Sequence, residues 1–222
     1  MSAFSPLFAI IYTTMRFVSP YYTFPPVGWW LHLVAATEVV FDVHEHYRKM
    51  SDRNRYQIGG SNNPVLLSIP LIKGRKNHVP MHCVQIQNDS RWQVQHWRTI
   101  VSVYNRSPYF FHYHDSLAVL FQTEYTSLLQ FNIAAFDWVN QQLKFSFTHS
   151  QSELYLPLYP DDFIDLRTDD YQYLPTPSYY QVFADRVGFV SGLSILDLLF
   201  SEGPHTTAWL RSHAIQAPQH RD

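Results

Sequence analysis

The stretch that most constrains the fold is "FVSPYYTFPPVGWWLHLVAATEVVFDVH", Phe17 to His44. It reads as an extended run, a proline-initiated helix from about Pro26 to Thr37, and a β-branched strand from Val39 to Val43. A strand–helix–strand order of this kind predicts an α/β fold with a mixed or mostly parallel sheet covered by helices. Proline outnumbers glycine, 14 to 7, so the connections are stiff rather than slack.

Downstream, "NNPVLLSIPLI" predicts a further apolar run from Val65 to Ile72, and "VPMHCVQIQ" alternates as a strand would around Val84 and Ile86. From Asp89 or Ser90, either of which serves as an N-cap, the pattern turns helical. Trp92, His96, Ile100 and Tyr104 recur at fourfold spacing on one face. Ser107-Pro108 breaks that helix. Two more follow, divided near Thr123, with Leu117, Leu120, Phe121, Leu128, Phe131 and Phe136 as core positions. The middle of the chain is therefore an α-rich block.

Residues 148–178 are rich in Asp, Tyr and Pro without a sustained period, which predicts a long loop acting as a lid or binding loop, or plain disorder. In "LSILDLLFSEGP" an apolar stripe through Leu193, Leu196, Leu199 and Phe200 predicts a helix ended by Gly203-Pro204, with Asp197 on the opposite side. Residues 215–222 read as a loose tail. One domain over residues 1–222 accounts for the length, and 46% hydrophobic residues suffice for a large core.

A formal net charge of −2 argues against a nucleic-acid partner bound through a broad basic face. Cys83 is the only cysteine, so no intramolecular disulfide forms, and a cytoplasmic setting fits. No uninterrupted apolar run reaches the roughly 20 residues of a membrane span. Gly-rich nucleotide loops and a G-x-S-x-G elbow are missing, and no cofactor is indicated.

The most polar segment is "VHEHYRKMSDRNRY", Val43 to Tyr56. Lys49, Arg53, Asn54 and Arg55 follow a strand, where α/β sheets bind ligands, and Arg presents a fork suited to phosphate or carboxylate. The plainer reading is a solvated loop, or arginines paired with Asp42, Glu45 or Asp52. Were Val39 to Tyr47 one strand, His44 and His46 would share a face, and His78 or His82 would make a third metal ligand. Ordinary polar histidines are the better reading of that pair. His96 is the best candidate general base, with a core contact between Trp92 and Ile100 as its plain alternative. Arg98 lies well round the helix from it.

Taken together, "YTFPPVGWW", "HEHYRKMSDRNRYQI", "LSIPL", "WQVQHWRTIVSVYNRSPYF" and "LSILDLLFSEGP" resemble the WbqC-like protein family over roughly residues 20–208. The resemblance implies a role near O-antigen and other surface-polysaccharide synthesis, hence a transferase-like enzyme. Its partner would be a small anionic substrate such as a nucleotide sugar. Many relatives carry a His-Gln-Pro element where this chain has "FVSPYYTFPPV". The expected site comprises His96 and Glu45 as catalytic groups, with Lys49, Arg53, Asn54, Arg55, Arg98 and Tyr104 binding substrate. A non-catalytic binding or scaffold protein and a metal-dependent hydrolase on His44, His46 and His82 are the alternatives.

Overall fold

The computed structural model describes residues 14–72, 79–168 and 176–215. Its centre is a four-stranded, fully parallel sheet of β1 (Arg16–Ser19), β2 (Glu38–Phe41), β5 (Thr148–Gln151) and β6 (Phe163–Asp165), in the order β5-β2-β1-β6. A separate antiparallel hairpin pairs β3 (Arg55–Ile58) with β4 (Val65–Ser68). The fold is α/β, as the opening strand–helix–strand pattern predicts.

Helix α1 (Val27–Leu33) joins β1 to β2 and is shorter than the predicted span to Thr37. Pro26 occupies its N-cap, and 3-10-type bonds from Ala35 to His32 and Ala36 to Leu33 close it early. All seven of its residues are buried. Strand β2 also stops short of Val43, because the Asp42 carboxylate accepts the His44 backbone N–H at 3.1 Å and turns the chain. His44, Glu45 and His46 therefore sit beyond the strand, not along it.

The predicted strand at Val79 to Gln87 does not form. Pro80 opens a 3-10 turn at Met81–Cys83, and only isolated bridges tie Leu71 to Ile86 and Gln85 to Ser127. The α-rich block matches expectation: α2 (Trp92–Tyr104), α3 (Phe110–Gln122) and α4 (Leu128–Leu143) break at Ser107-Pro108 and Thr123. In α2 the buried residues are Trp92, His96, Ile100 and Tyr104, the fourfold row itself. Its N-cap is Arg91 without a side-chain bond, while the Ser90 hydroxyl donates back to the Gln87 carbonyl. In α4, Ser127 caps the start and Lys144, in the left-handed region at φ 50°, ends it.

Two strands were hidden in the expected long loop. Strand β5 lies on the sheet edge with all four residues exposed, and β6 is three residues long. Neither carries an apolar alternation that periodicity can detect. Residues 169–175 of that segment, and 216–222 of the expected tail, lie outside the described residues. After α5 (Ala184–Val187), α6 (Ile195–Glu202) and α7 (Thr206–Ser212) close the core against α1. Asp197 is buried, like every residue of α6 from Ile195 to Ser201, rather than facing outward. No described helix is long and apolar enough to cross a membrane.

Candidate functional site

Asp42 follows β2, Ser152 follows β5, and Asp165 ends β6, so these polar residues gather at the carboxyl edge of the parallel sheet. Chain order runs from β1 outward through β2 to β5, then returns to β6 on the other side of β1. Ligand crevices of open α/β sheets form beyond the carboxyl ends of strands, where the strand order reverses. A cavity of about 280 Å³ occupies this edge, lined by Glu45, His46, Arg48, Arg53, Tyr155, Pro157, Asp165, Arg167 and Thr168.

Its floor is an ion-pair network. Arg53 is fully buried and grips Glu45 through two parallel bonds, Nε to Oε1 at 2.7 Å and Nη2 to Oε2 at 2.5 Å. Burial pushes the Glu45 carboxyl up from its usual range, and the Arg53 charge pulls against that rise. Arg53 also faces the Tyr22 ring, and its Nη2 donates to the Arg167 carbonyl. The backbone around it is equally constrained, since the Arg53 carbonyl accepts from Thr23 Oγ1 and Asn132 Nδ2.

Arg167 is the organising cation that sequence reading missed. Its five N–H groups are all engaged: Nε and Nη2 on Asp165, Nη1 on Asp42 at 2.9 Å and on the Leu156 carbonyl, and Nη2 also on the Pro157 carbonyl. Burial would lower its proton affinity, but its bonds to the Asp165 and Asp42 carboxylates and their charges outweigh that and raise it. Asp42 in turn accepts from Ser152 Oγ. One guanidinium thus joins the ends of β2 and β6 to the connection after β5. The signal available was Asp-Leu-Arg inside the apolar "FIDLR", easily discounted once the region was read as a loop.

At the cavity rim stand His46, whose ring packs edge-on to Tyr155 at 4.6 Å, and the exposed Arg48, which spends one N–H on the Arg167 carbonyl. Lys49 is exposed and does not line the cavity. Asn54 is buried and structural, accepting from Tyr47 and donating to the Ile69 carbonyl. Arg55 lines a second cavity, which also has Pro26 at its wall. The basic segment therefore serves two cavities with no lining residue in common.

The expected convergence of His96 with that segment does not occur. His96 is 4% exposed, with Nδ1 at 3.0 Å from the Tyr56 hydroxyl and Nε2 at 3.3 Å from the Ser68 carbonyl. A carbonyl only accepts, so Nε2 carries the proton and Nδ1 accepts from Tyr56. Burial lowers its pKa to about 4, leaving a neutral core imidazole between Trp92 and Phe121. Arg98 is exposed on the opposite side of α2. The Tyr104 hydroxyl donates to Asp197 Oδ1 at 2.7 Å and accepts from the Gly59 N–H, a buried cluster lying apart from the first cavity.

His44 and His82 approach each other, with ring centroids 5.9 Å apart, whereas His46 turns to Tyr155. Among the described residues no three His, Cys, Asp or Glu side chains converge as a metal site, and His78 lies outside those residues.

Comparison with curated proteins returned no match, and neither did comparison with solved structures. The model of the WbqC-like protein family matches residues 20–158. That span covers α1, the polar segment, the α-rich block and β5, but not "LSILDLLFSEGP", which the resemblance had included. With more than half of its length matched, the chain belongs to the WbqC-like protein family.

Proposed function

We propose that the cavity at the carboxyl edge of the sheet binds a small phosphorylated anion of the nucleotide-sugar class, and that the chain is a transferase-like enzyme of surface-polysaccharide metabolism. The observation carrying this reading is the lining: three guanidinium groups against two carboxylates at the edge where the strand order reverses. The family's association with surface polysaccharides supplies the substrate class. Arg48 is the group offered to the ligand, because it stands at the rim with most of its N–H donors uncommitted to the fold. About 280 Å³ accommodates a sugar or phosphate group, so the remainder of a nucleotide sugar would lie across the open rim.

Glu45 is the carboxylate positioned to take a proton from an acceptor hydroxyl or amine, with Arg53 fixing its orientation. His96 has no part in this scheme. Titration of the full chain with UDP-glucose and with inorganic pyrophosphate, followed calorimetrically, tests the binding. Arg48→Ala should weaken both by about tenfold or more while the far-ultraviolet spectrum is unchanged. Identical affinity in Arg48→Ala and the parent would sink the assignment.

A second reading, a ligand-binding protein without catalysis, is favoured by the internal commitment of Glu45 and of every N–H of Arg167. It predicts binding that survives Glu45→Gln and no turnover with any sugar or amine acceptor.

A further inference from the structure

The second cavity, about 250 Å³, is built differently from the first. Phe24, Pro26, Met50, Tyr56 and Leu66 give it apolar wall, while Asp52 and Arg55 supply charge. Arg55 Nε is buried and has no hydrogen-bond acceptor among the described residues. A buried, charged N–H without an acceptor is costly, and structures retain such a group where something else satisfies it. Arg53, two residues earlier, faces the other cavity and spends Nε and Nη2 on the Glu45 carboxylate.

The backbone around this cavity is also held in conformations that side chains avoid. Phe24 has φ 43° and Met50 φ 57°, both in the left-handed region, and Gly192 on the facing loop has φ 78°. Phe24 is buried at 1% exposure, so packing holds its strained turn, whereas Met50 is 81% exposed and Leu66 55% exposed at the cavity wall. Strain of order 1–3 kcal/mol per residue persists where the surroundings enforce it and clusters at binding sites.

We propose that this second cavity is a binding site for a small monocarboxylate carried on an apolar body, its carboxylate paired with the Arg55 guanidinium. A fork of parallel N–H donors matches the two oxygens of a carboxylate. The Asp52 charge on the same wall disfavours a dianion such as phosphate, and one arginine does not neutralise two charges. Phe24, Pro26 and Leu66 offer the apolar body a surface to cover. The inference is independent of the function proposed for the first cavity, because the two share no lining residue.

Phenylacetate and inorganic phosphate, titrated separately into the full chain and followed by calorimetry, test it. Saturable binding of phenylacetate is expected, weakened about tenfold or more by Arg55→Gln and unchanged by Arg48→Ala. Leu66→Glu, at a wall position 55% exposed, should abolish it by placing a carboxylate beside Arg55. Circular dichroism of each variant separates lost binding from lost folding. Absent saturation in the parent, equal binding by Arg55→Gln and Leu66→Glu in their folded forms, or phosphate binding as tightly as phenylacetate and lost in Arg55→Gln would each overturn the proposal.

Discussion

Arg53 is among the largest fully buried side chains described in the molecule, and its charge is matched by Glu45 at 4% side-chain exposure. Desolvating both ions costs several kcal/mol each, and their bidentate attraction offsets rather than exceeds that cost. Removing one partner is therefore far worse than removing both. Arg53→Met should destabilise the protein by ~3–5 kcal/mol, and adding Glu45→Leu should recover most of that loss. Urea unfolding of the single and double variants checks this. A double variant no more stable than Arg53→Met would show that the arginine's other bonds, to the Arg167 carbonyl and across the Tyr22 ring, carry the stability instead.

At the scale of elements, the joint between α6 and α7 depends on Gly203. Its φ is 53°, and a Cβ built there would lie 2.3 Å from the Tyr109 ring, inside any real contact. Positive φ and overpacking act together, so Gly203→Ala should cost about 2–4 kcal/mol, measurable as a lower urea midpoint with an unchanged slope. The Gly-Pro pair is thus more than the helix stop that its order suggests, because the chain continues through a 3-10 turn straight into α7. Elements with a strong period were legible beforehand: the fourfold row of α2 and the break at Ser107-Pro108 both stand as read. The polar strand β5 was not, since an edge strand with four exposed residues owes its existence to the ladder offered by β2.

For the whole molecule, two buried titrating groups in different places pull stability in opposite directions across the same pH range. Burial raises the Asp197 carboxyl from 3.8 to about 6, an increase that the bond from Tyr104 only partly opposes. Its contribution is fully present below the unfolded value and is lost as pH rises to about 6, an effect of roughly 3 kcal/mol. His96, lowered from 6.5 to about 4, contributes fully above 6.5 and loses that contribution as pH falls to about 4, again by roughly 3 kcal/mol. Between about pH 4 and 6 the two nearly cancel. Asp197→Asn should then be more stable than the parent at pH 7 and show stability rising from pH 4 to 6. His96→Gln should show it falling over that interval. Chemical denaturation at stepped pH measures both slopes, and parallel profiles for the two variants would exclude these groups as their source.

Hydrophobic period and proline placement act locally, so the α/β class, the α-rich middle, the core faces of the central helices and the family could all be read from the residues alone. The sequence also marked Glu45 and Arg53, whose charges stand out in a chain with few. Long-range packing is what makes His96 a core imidazole, buries Asp197, spreads one basic segment over two cavities and lets Arg167 tie the ends of β2 and β6 to the connection after β5. Those outcomes depend on contacts between residues up to 125 positions apart, such as Asp42 with Arg167, and local spacing carries no information about which distant strand supplies a partner.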